Sequence, residues 1–310
     1  MGLSGHWWTV APTVAARLRP PRDTASELWL DERPGDPVRL RGRLRRAGSG
    51  NAAALLLHGL GGSAESPYLV PVARALGRAG WSTLRLHLRG ADRRGDGLYH
   101  AGFTDDLPRV LAAPPFAEAQ RIAIVGFSLG GHLALRFAAE SEDPRLAGVA
   151  AVCAPVDLDL GARAIDAPRA WLYRRYVLEA LKAVYTALAA SRDVPTPVER
   201  VLRARTIRDW DGVVVAPWFG FASAEDYYVR MSAAPSLSAI RLPTWIVAGE
   251  DDPMVPAATL RPGLAAASAS TEITWTRRGG HVGFPRDLDL GRGGERGLAG
   301  QLAAWATALG

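Results

Sequence analysis

Three residues in this chain are of types that together can cleave an acyl bond. The first is Ser128, in the run Arg121-Ile122-Ala123-Ile124-Val125-Gly126-Phe127-Ser128-Leu129-Gly130-Gly131. An apolar, strand-like run drives into Gly-x-Ser-x-Gly, and Leu133-Ala134-Leu135-Arg136-Phe137-Ala138 continues as a helical pattern. That context predicts a nucleophile elbow, a turn so tight that the serine Oγ stands exposed at its tip. Gly126 and Gly130 are required there because a Cβ at either position would collide with the turn or with a neighbouring strand.

A serine hydroxyl is a poor nucleophile at neutral pH and needs a base that is itself oriented by a carboxylate. In doubly wound hydrolases the partners follow in the order Ser, Asp or Glu, His. Downstream, the strand-like run Thr244 to Ala248 leads into Gly249-Glu250-Asp251-Asp252-Pro253. Asp252 is the preferred acid, because Pro253 is expected to end the strand and stiffen the turn that presents it. Glu250 and Asp251 read as solvated neighbours. The next strand-like run ends in Gly279-Gly280-His281-Val282-Gly283, where flanking glycines would let the imidazole of His281 swing between acid and nucleophile. Acyl transfer also needs backbone donors for the developing oxyanion. The N–H groups of Leu60, in His58-Gly59-Leu60-Gly61-Gly62, and of Leu129, the residue after the serine, form the expected pair.

Other readings of these residues are weaker. The glycine cluster at 59–62 lacks the Gly-Lys-Ser/Thr ending of a phosphate loop, and the chain has no Gly-x-Gly-x-x-Gly. No His-Glu-x-x-His and no Cys/His cluster at metal spacing is present, so neither metal nor organic cofactor is implied. His58 reads as a hydrogen-bonding support for the oxyanion loop, while His87 and His132 read as structural. The His100 to Asp105 spacing, seen in some acyltransferases, reads as incidental.

The elements that must position these groups alternate between strand and helix, which predicts a mostly parallel sheet with helices on both faces. Eight strands are expected, starting with a hairpin of Leu28–Leu30 and Val38–Leu44 about Pro34-Gly35-Asp36-Pro37. Ala52–Leu57, Trp81–Leu88, Ile122–Val125, Leu146–Val152, Thr244–Ala248 and Glu272–Trp275 follow. Helices are expected at Tyr68–Ala79, Asp105–Ala112, Leu129–Glu140, Leu260–Ala267 and Gly297–Ala308. An insertion of about 156–239 carries a long amphipathic pattern (Ala170–Ala190), a helix at Pro197–Arg205 and the aromatic residues Trp210, Trp218, Phe219, Phe221, Tyr227 and Tyr228. Such an insertion belongs above the carboxyl ends of the strands. Its aromatic residues either complete the core or wall an apolar acyl pocket.

Composition narrows the class further. A hydrophobic fraction of 48% with 22% charged residues is that of a soluble globular chain with a sizeable core. The net charge of +6 comes almost wholly from scattered arginines, Lys182 being the only lysine, so no nucleic-acid partner is expected. The single cysteine, Cys153, excludes an intramolecular disulfide, fits a reducing, cytoplasmic location, and reads as a buried small hydrophobe. No stretch approaches the ~18 apolar residues of a membrane span, so no stable membrane insertion is expected. The first residues match neither a secretory signal nor a myristoylation pattern.

Several motifs resemble the YheT-like branch of the α/β-hydrolases. They are Gly2-Leu3-Ser4-Gly5-His6, His58 to Ser63 with Ser66-Pro67-Tyr68, His87-Leu88-Arg89-Gly90-Ala91, and Tyr99-His100-Ala101-Gly102. The elbow, Asp226-Tyr227-Tyr228, Asp251-Asp252-Pro253 and Gly279 to Phe284 complete the set. Trp7-Trp8 stand where that branch usually has Leu-Gln, and His132 where it commonly has Asn. The resemblance implies a single-domain hydrolase over 1–310 with the triad Ser128, Asp252 and His281, and the apolar character of the insertion favours a small-molecule ester of a short- to medium-chain acid over a peptide. Two alternatives share the scaffold: transfer of the acyl group to another acceptor, and non-catalytic binding. Oligomeric state is not legible in the sequence.

Overall fold

A computed structural model describes residues 3–18, 24–30, 36, 38–47, 51–94 and 97–309. Its centre is a sheet of β1 (Ser26–Leu30), β2 (Leu40–Arg45), β3 (Ala52–Leu57), β4 (Ser82–His87), β5 (Arg121–Phe127), β6 (Leu146–Val152), β7 (Thr244–Gly249) and β8 (Thr271–Thr276). The spatial order is β1-β2-β4-β3-β5-β6-β7-β8. β1 pairs antiparallel with β2 and β2 with β4; every other pairing is parallel. The expected sheet is therefore present, with strand limits within a few residues of those read from the sequence. Pro34, Gly35 and Pro37 of the expected hairpin turn lie outside the described residues.

The burial pattern explains the pairing. β3 and β7 are buried at every position, as central parallel strands covered on both faces must be, whereas β2 alternates buried and half-buried residues. Period two then splits the core. Leu55, Leu57, Ile122 and Ile124 face one side of the sheet, while Ala54, Leu56, Ala123 and Val125 face the other.

Helices cover both faces. α1 (Leu3–Leu18) precedes the sheet, and α2 (Leu69–Arg78), α3 (Asp106–Leu111) and α4 (Leu129–Glu140) follow β3, β4 and β5. Between β6 and β7 come α5 (Leu158–Asp166), α6 (Trp171–Ala189), α7 (Val198–Leu202), α8 (Ile207–Trp210), a π turn (Asp211–Val215), α9 (Ala216–Phe219) and α10 (Ala224–Met231). α11 (Ala257–Leu264) and α12 (Leu298–Thr307) complete the chain. α11 starts three residues earlier than the apolar pattern suggests, because Pro256 fixes its N-terminal boundary. α1 is an element the sequence reading did not anticipate: Gly5, Thr9 and Pro12 weaken its helical signal.

The long β6–β7 segment closes on itself at a neck. The Ala234 N–H donates to Val156 O (2.9 Å) and the Leu158 N–H to Ser232 Oγ (2.9 Å). His132, on α4 beneath the elbow, lies with Nδ1 at 2.7 Å from Pro155 O and Nε2 at 2.8 Å from Met231 O. One fully buried side chain thus touches both ends of the segment.

Burial holds the imidazoles of His58, His87 and His132 down at about 4, and that of His100 at about 3. In an unfolded chain they would titrate near ~6.5. The folded state therefore binds fewer protons than the unfolded state below that pH, so this stabilisation is complete above ~6.5 and is lost as pH falls toward ~4. Four such groups give a slope of up to about 5 kcal/mol per pH unit. The urea midpoint is expected to be flat above pH 7 and to fall steeply between pH 6.5 and 4. His132→Asn should make that fall shallower by about a quarter.

Candidate active site

The turn at Ser128 is built from close backbone approach. Ser128 has φ 52° and ψ −120°, a region sparsely populated for residues with a Cβ, at a cost of ~1–3 kcal/mol. A Cβ on Gly126 would strike the Gly130 carbonyl, and one on Gly130 would lie 2.5 Å from Leu57 O and 2.6 Å from His58 O. Both glycines thus serve the approach of α4 to β3 and β5 that the sequence pattern called for.

Ser128, His281 and Asp252 come together although they lie on three separate loops. His281 Nε2 is 2.9 Å from Ser128 Oγ, and His281 Nδ1 is 2.9 Å from Asp252 Oδ2. The tautomer with Nδ1 protonated satisfies both contacts: the ring donates to the carboxylate and accepts the serine proton. Asp252 is buried, and its Oδ1 accepts from the Met254 and Val255 N–H groups at 2.8 and 2.9 Å. The local geometry differs from expectation at one point. β7 ends at Gly249, and it is the Gly249–Asp252 turn, ahead of Pro253, that carries the acid round. Glu250 pairs with Arg261 at the surface (2.8 Å).

The oxyanion candidates lie beside this serine. In the loop after β3, the Gly59 N–H donates to Tyr68 Oη (2.9 Å), Gly61 to Tyr99 Oη (3.0 Å) and Gly62 to Gly59 O (3.0 Å). The Leu60 N–H is left with no partner among the described residues. The Leu129 N–H, at the first turn of α4, is in the same state. His58 fixes the loop from below, with Nδ1 2.8 Å from Gly59 O and Nε2 accepting from the Leu88 N–H at 3.1 Å.

The glycines around His281 do something other than free it to swing. A Cβ on Gly280 would collide with Gly5 O and Thr9 Oγ1, and one on Gly5 with Asp251 O. They are spaces into which α1 packs. The Thr9 hydroxyl donates to Gly5 O (2.7 Å) and accepts from the His281 N–H (2.8 Å), so α1 fixes the histidine backbone. His6 adds a second tie, Nδ1 lying 2.6 Å from Tyr173 Oη on α6. Sequence reading missed these residues. Their signals were the Gly2 to His6 motif, which carried the resemblance but no role, and the small residues Gly5 and Thr9 four apart in the first segment.

Cys153 is buried below the histidine, its Sγ directed at Gly280 O (3.6 Å), and burial pushes its thiol well above the usual range. Its Sγ, Asp252 and His281 are the one group of potential metal-ligating atoms within 4.8 Å of one another among the described residues. The two that could ligate well are already engaged with each other. His100 sits in a ring of Phe103, Phe219, Phe221 and Tyr227, while Asp105 is exposed and apart from it.

A cavity of about 380 Å³ opens beside Ser128 and His281, with Leu60 and Leu129 on its wall. Val177 and Leu181 of α6, Trp210 of α8, and Tyr227 and Tyr228 of α10 complete much of its lining. The aromatic residues of the β6–β7 segment thus divide. Trp210, Tyr227 and Tyr228 line the cavity, and Phe219 and Phe221 pack behind it on His100. Among the described residues no helix is long and apolar enough to cross a membrane.

Comparison with known proteins agrees with this architecture. The sequence profile described as alpha/beta hydrolase fold matches residues 54–274, a stretch that includes Ser128 and Asp252 and stops short of His281. YheT of Escherichia coli (strain K12), which bears the name of an esterase, is 33% identical over 238 residues, 74% of this chain and 69% of that protein. The monoacylglycerol lipase of Saccharomyces cerevisiae is 27% identical over 264 residues, 80% of this chain. The match covers 57% of the yeast protein, so this chain spans little more than half of that relative. The solved esterase domain of a Rhodothermus marinus protein superposes with a TM-score of 0.55 at 18% identity, covering 93% of this chain and 97% of that one. The chain belongs to the YheT-like branch of the alpha/beta hydrolase fold family and is a hydrolase of the esterase and lipase type.

Proposed function

We propose that the chain hydrolyses carboxylic esters through an acyl-enzyme formed on Ser128. The observation that carries this reading is the pair of 2.9 Å contacts that link Ser128 Oγ to His281 and His281 to Asp252 at the wall of an apolar cavity. His281 Nε2 takes the hydroxyl proton as Ser128 Oγ attacks the ester carbonyl. The imidazolium that forms is stabilised by Asp252, whose carboxylate is held in place by two backbone N–H groups. The negative charge that develops on the carbonyl oxygen is met by the free N–H groups of Leu60 and Leu129, already oriented before the substrate arrives. His281 then returns its proton to the departing alkoxide. A water molecule deprotonated by the same nitrogen cleaves the acyl-enzyme and regenerates the serine.

The wall of the cavity favours a short- to medium-chain acyl group over a peptide. Val177, Leu181 and Val215 offer apolar surface and few groups to pair with amide N–H or C=O. In this reading residues 156–239 act as a cap over a single catalytic domain, with the core and the cavity sharing its aromatic residues.

Ser128→Ala is expected to abolish labelling by a fluorophosphonate probe and to lower ester turnover by about 10⁴-fold or more, with the fold intact. Asp252→Asn should cost ~10³–10⁴ in kcat with little change in KM, since it disturbs the tautomer rather than the binding wall. Absence of labelling on Ser128 in the folded wild-type protein would sink the reading. A nitrophenyl ester series should show a maximum in kcat/KM at short to medium chain length, and a flat response would exclude that preference. Thr9→Val leaves the His281 N–H unpaired, at ~1–2 kcal/mol. It should lower kcat about tenfold with KM unchanged, and Thr9→Ser should restore it.

A further inference from the structure

Among the described residues that line the cavity, Asp211 is the one carboxylic acid, and the ester chemistry does not use it. Asp211 opens the π turn that follows α8 and is 7% exposed. Tyr228 donates its hydroxyl to Asp211 Oδ2 at 2.6 Å. No hydrogen bond reaches the other oxygen, Oδ1, among the described residues. Asp211 and Tyr228 both line the cavity that holds Ser128 and His281, beside Ile207, Trp210 and Val215.

The surroundings leave this carboxyl without a cation of its own. Arg208 stacks over the Tyr228 ring, 5.0 Å from its centroid, and spends its charge on Asp159 and Glu225. Asp166 accepts the Ile207 and Arg208 N–H groups at 2.7 and 3.1 Å and adds negative potential nearby. Burial, more than any other cause, pushes the Asp211 carboxyl up to about 7. Asp211 Oδ1 is not among the buried side-chain atoms left without a partner, so it is open to the cavity, where a substrate group can pair with it.

We propose that Asp211, braced by Tyr228, is a specificity-determining subsite for a hydroxyl group on the substrate chain. A hydroxyl fits because it serves either form of the carboxyl. It donates to Oδ1 of the carboxylate and accepts from the protonated acid, so pairing does not depend on which form the cavity holds. An ammonium group would pair only with the ionised form and would have to shed its water on an apolar wall. Sites that bind a substrate hydroxyl discriminate strongly against the analogue without one, because the protein group is then stranded.

This proposal rests on the esterase reading, and its test separates the two. Nitrophenyl esters of equal chain length are compared in pairs, with and without a hydroxyl stepped along carbons ~3 to 8 of the acyl chain. At the best position the hydroxylated ester should exceed its partner by about tenfold in kcat/KM, mostly through KM. Asp211→Leu should bring that ratio to about one, lowering kcat/KM for the hydroxylated ester far more than for its plain partner. A wild-type ratio near one at every position overturns the proposal without need of a variant. So does an equal loss on both members of a pair in Asp211→Leu, which is the mark of a structural role. An ammonium-bearing ester that outruns the hydroxylated one overturns the ligand class. Loss of all turnover, with Ser128 unlabelled, counts against the esterase reading instead. In that case calorimetry with 1,6-hexanediol against 1-hexanol reads the subsite alone, and tighter binding of the diol to wild type than to Asp211→Leu is required.

Discussion

Everything at the site depends on two backbones lying closer than side chains permit. α4 can begin directly at the end of β5 only because Gly130 lets its first turn press against the carbonyls of Leu57 and His58, and Gly126 lets the turn fold back on itself. That contact sets Ser128 at φ 52° and brings the loop after β3 alongside it, with Gly59 against the serine Cβ. The free Leu60 and Leu129 N–H groups follow from the same contact, since one lies on each side of it. The strain in the turn is offset by the strands that carry it. β3 and β5 are the middle of a sheet buried on both faces, with Leu55, Leu56 and Leu57 wholly removed from water.

The second constraint is the support of the histidine. A loop after an edge strand is the least supported part of a sheet, and β8 is the edge. α1 supplies what the sheet does not. Gly5 and Gly280 make room, and Thr9 fastens the His281 main chain, so the imidazole needs only one side-chain partner to be oriented. The orientation of His281 thus depends on residues nearly the whole length of the chain away from it.

That division also explains what was legible in the sequence. The strands were readable because full burial demands continuous apolar runs, and their order follows from alternation with helices. Ser128, Asp252 and His281 were readable because strand ends and glycines mark them locally. The role of the glycines beside His281 was misread, since a sequence records that a Cβ is missing but not what occupies its place. α1 escaped notice for the same reason. Its small residues answer to Asp251 and Gly280, which are distant in sequence, and its own periodicity is weak. Asp211 gave no signal at all: an aspartate among Trp210, Val213, Val214 and Val215 looks like any polar residue in a helix until the cavity in front of it is known.

His132 lies against both ends of the β6–β7 segment, its single ring N–H donating to one of the Pro155 and Met231 carbonyls, and the neck hydrogen bonds at Val156 and Leu158 close it just above. Inside the segment, ties to the rest of the chain are made by single side chains, Tyr227 Oη accepting from the Ala101 N–H (2.9 Å) and Tyr173 meeting His6. Because closing a longer or shorter loop between fixed ends changes free energy only slowly with length, residues inserted or removed between those ties cost the fold little. The elbow, Asp252 and His281 lie outside the segment and keep their places through such a change. A neck of this kind separates the length of the segment from the geometry of Ser128, Asp252 and His281.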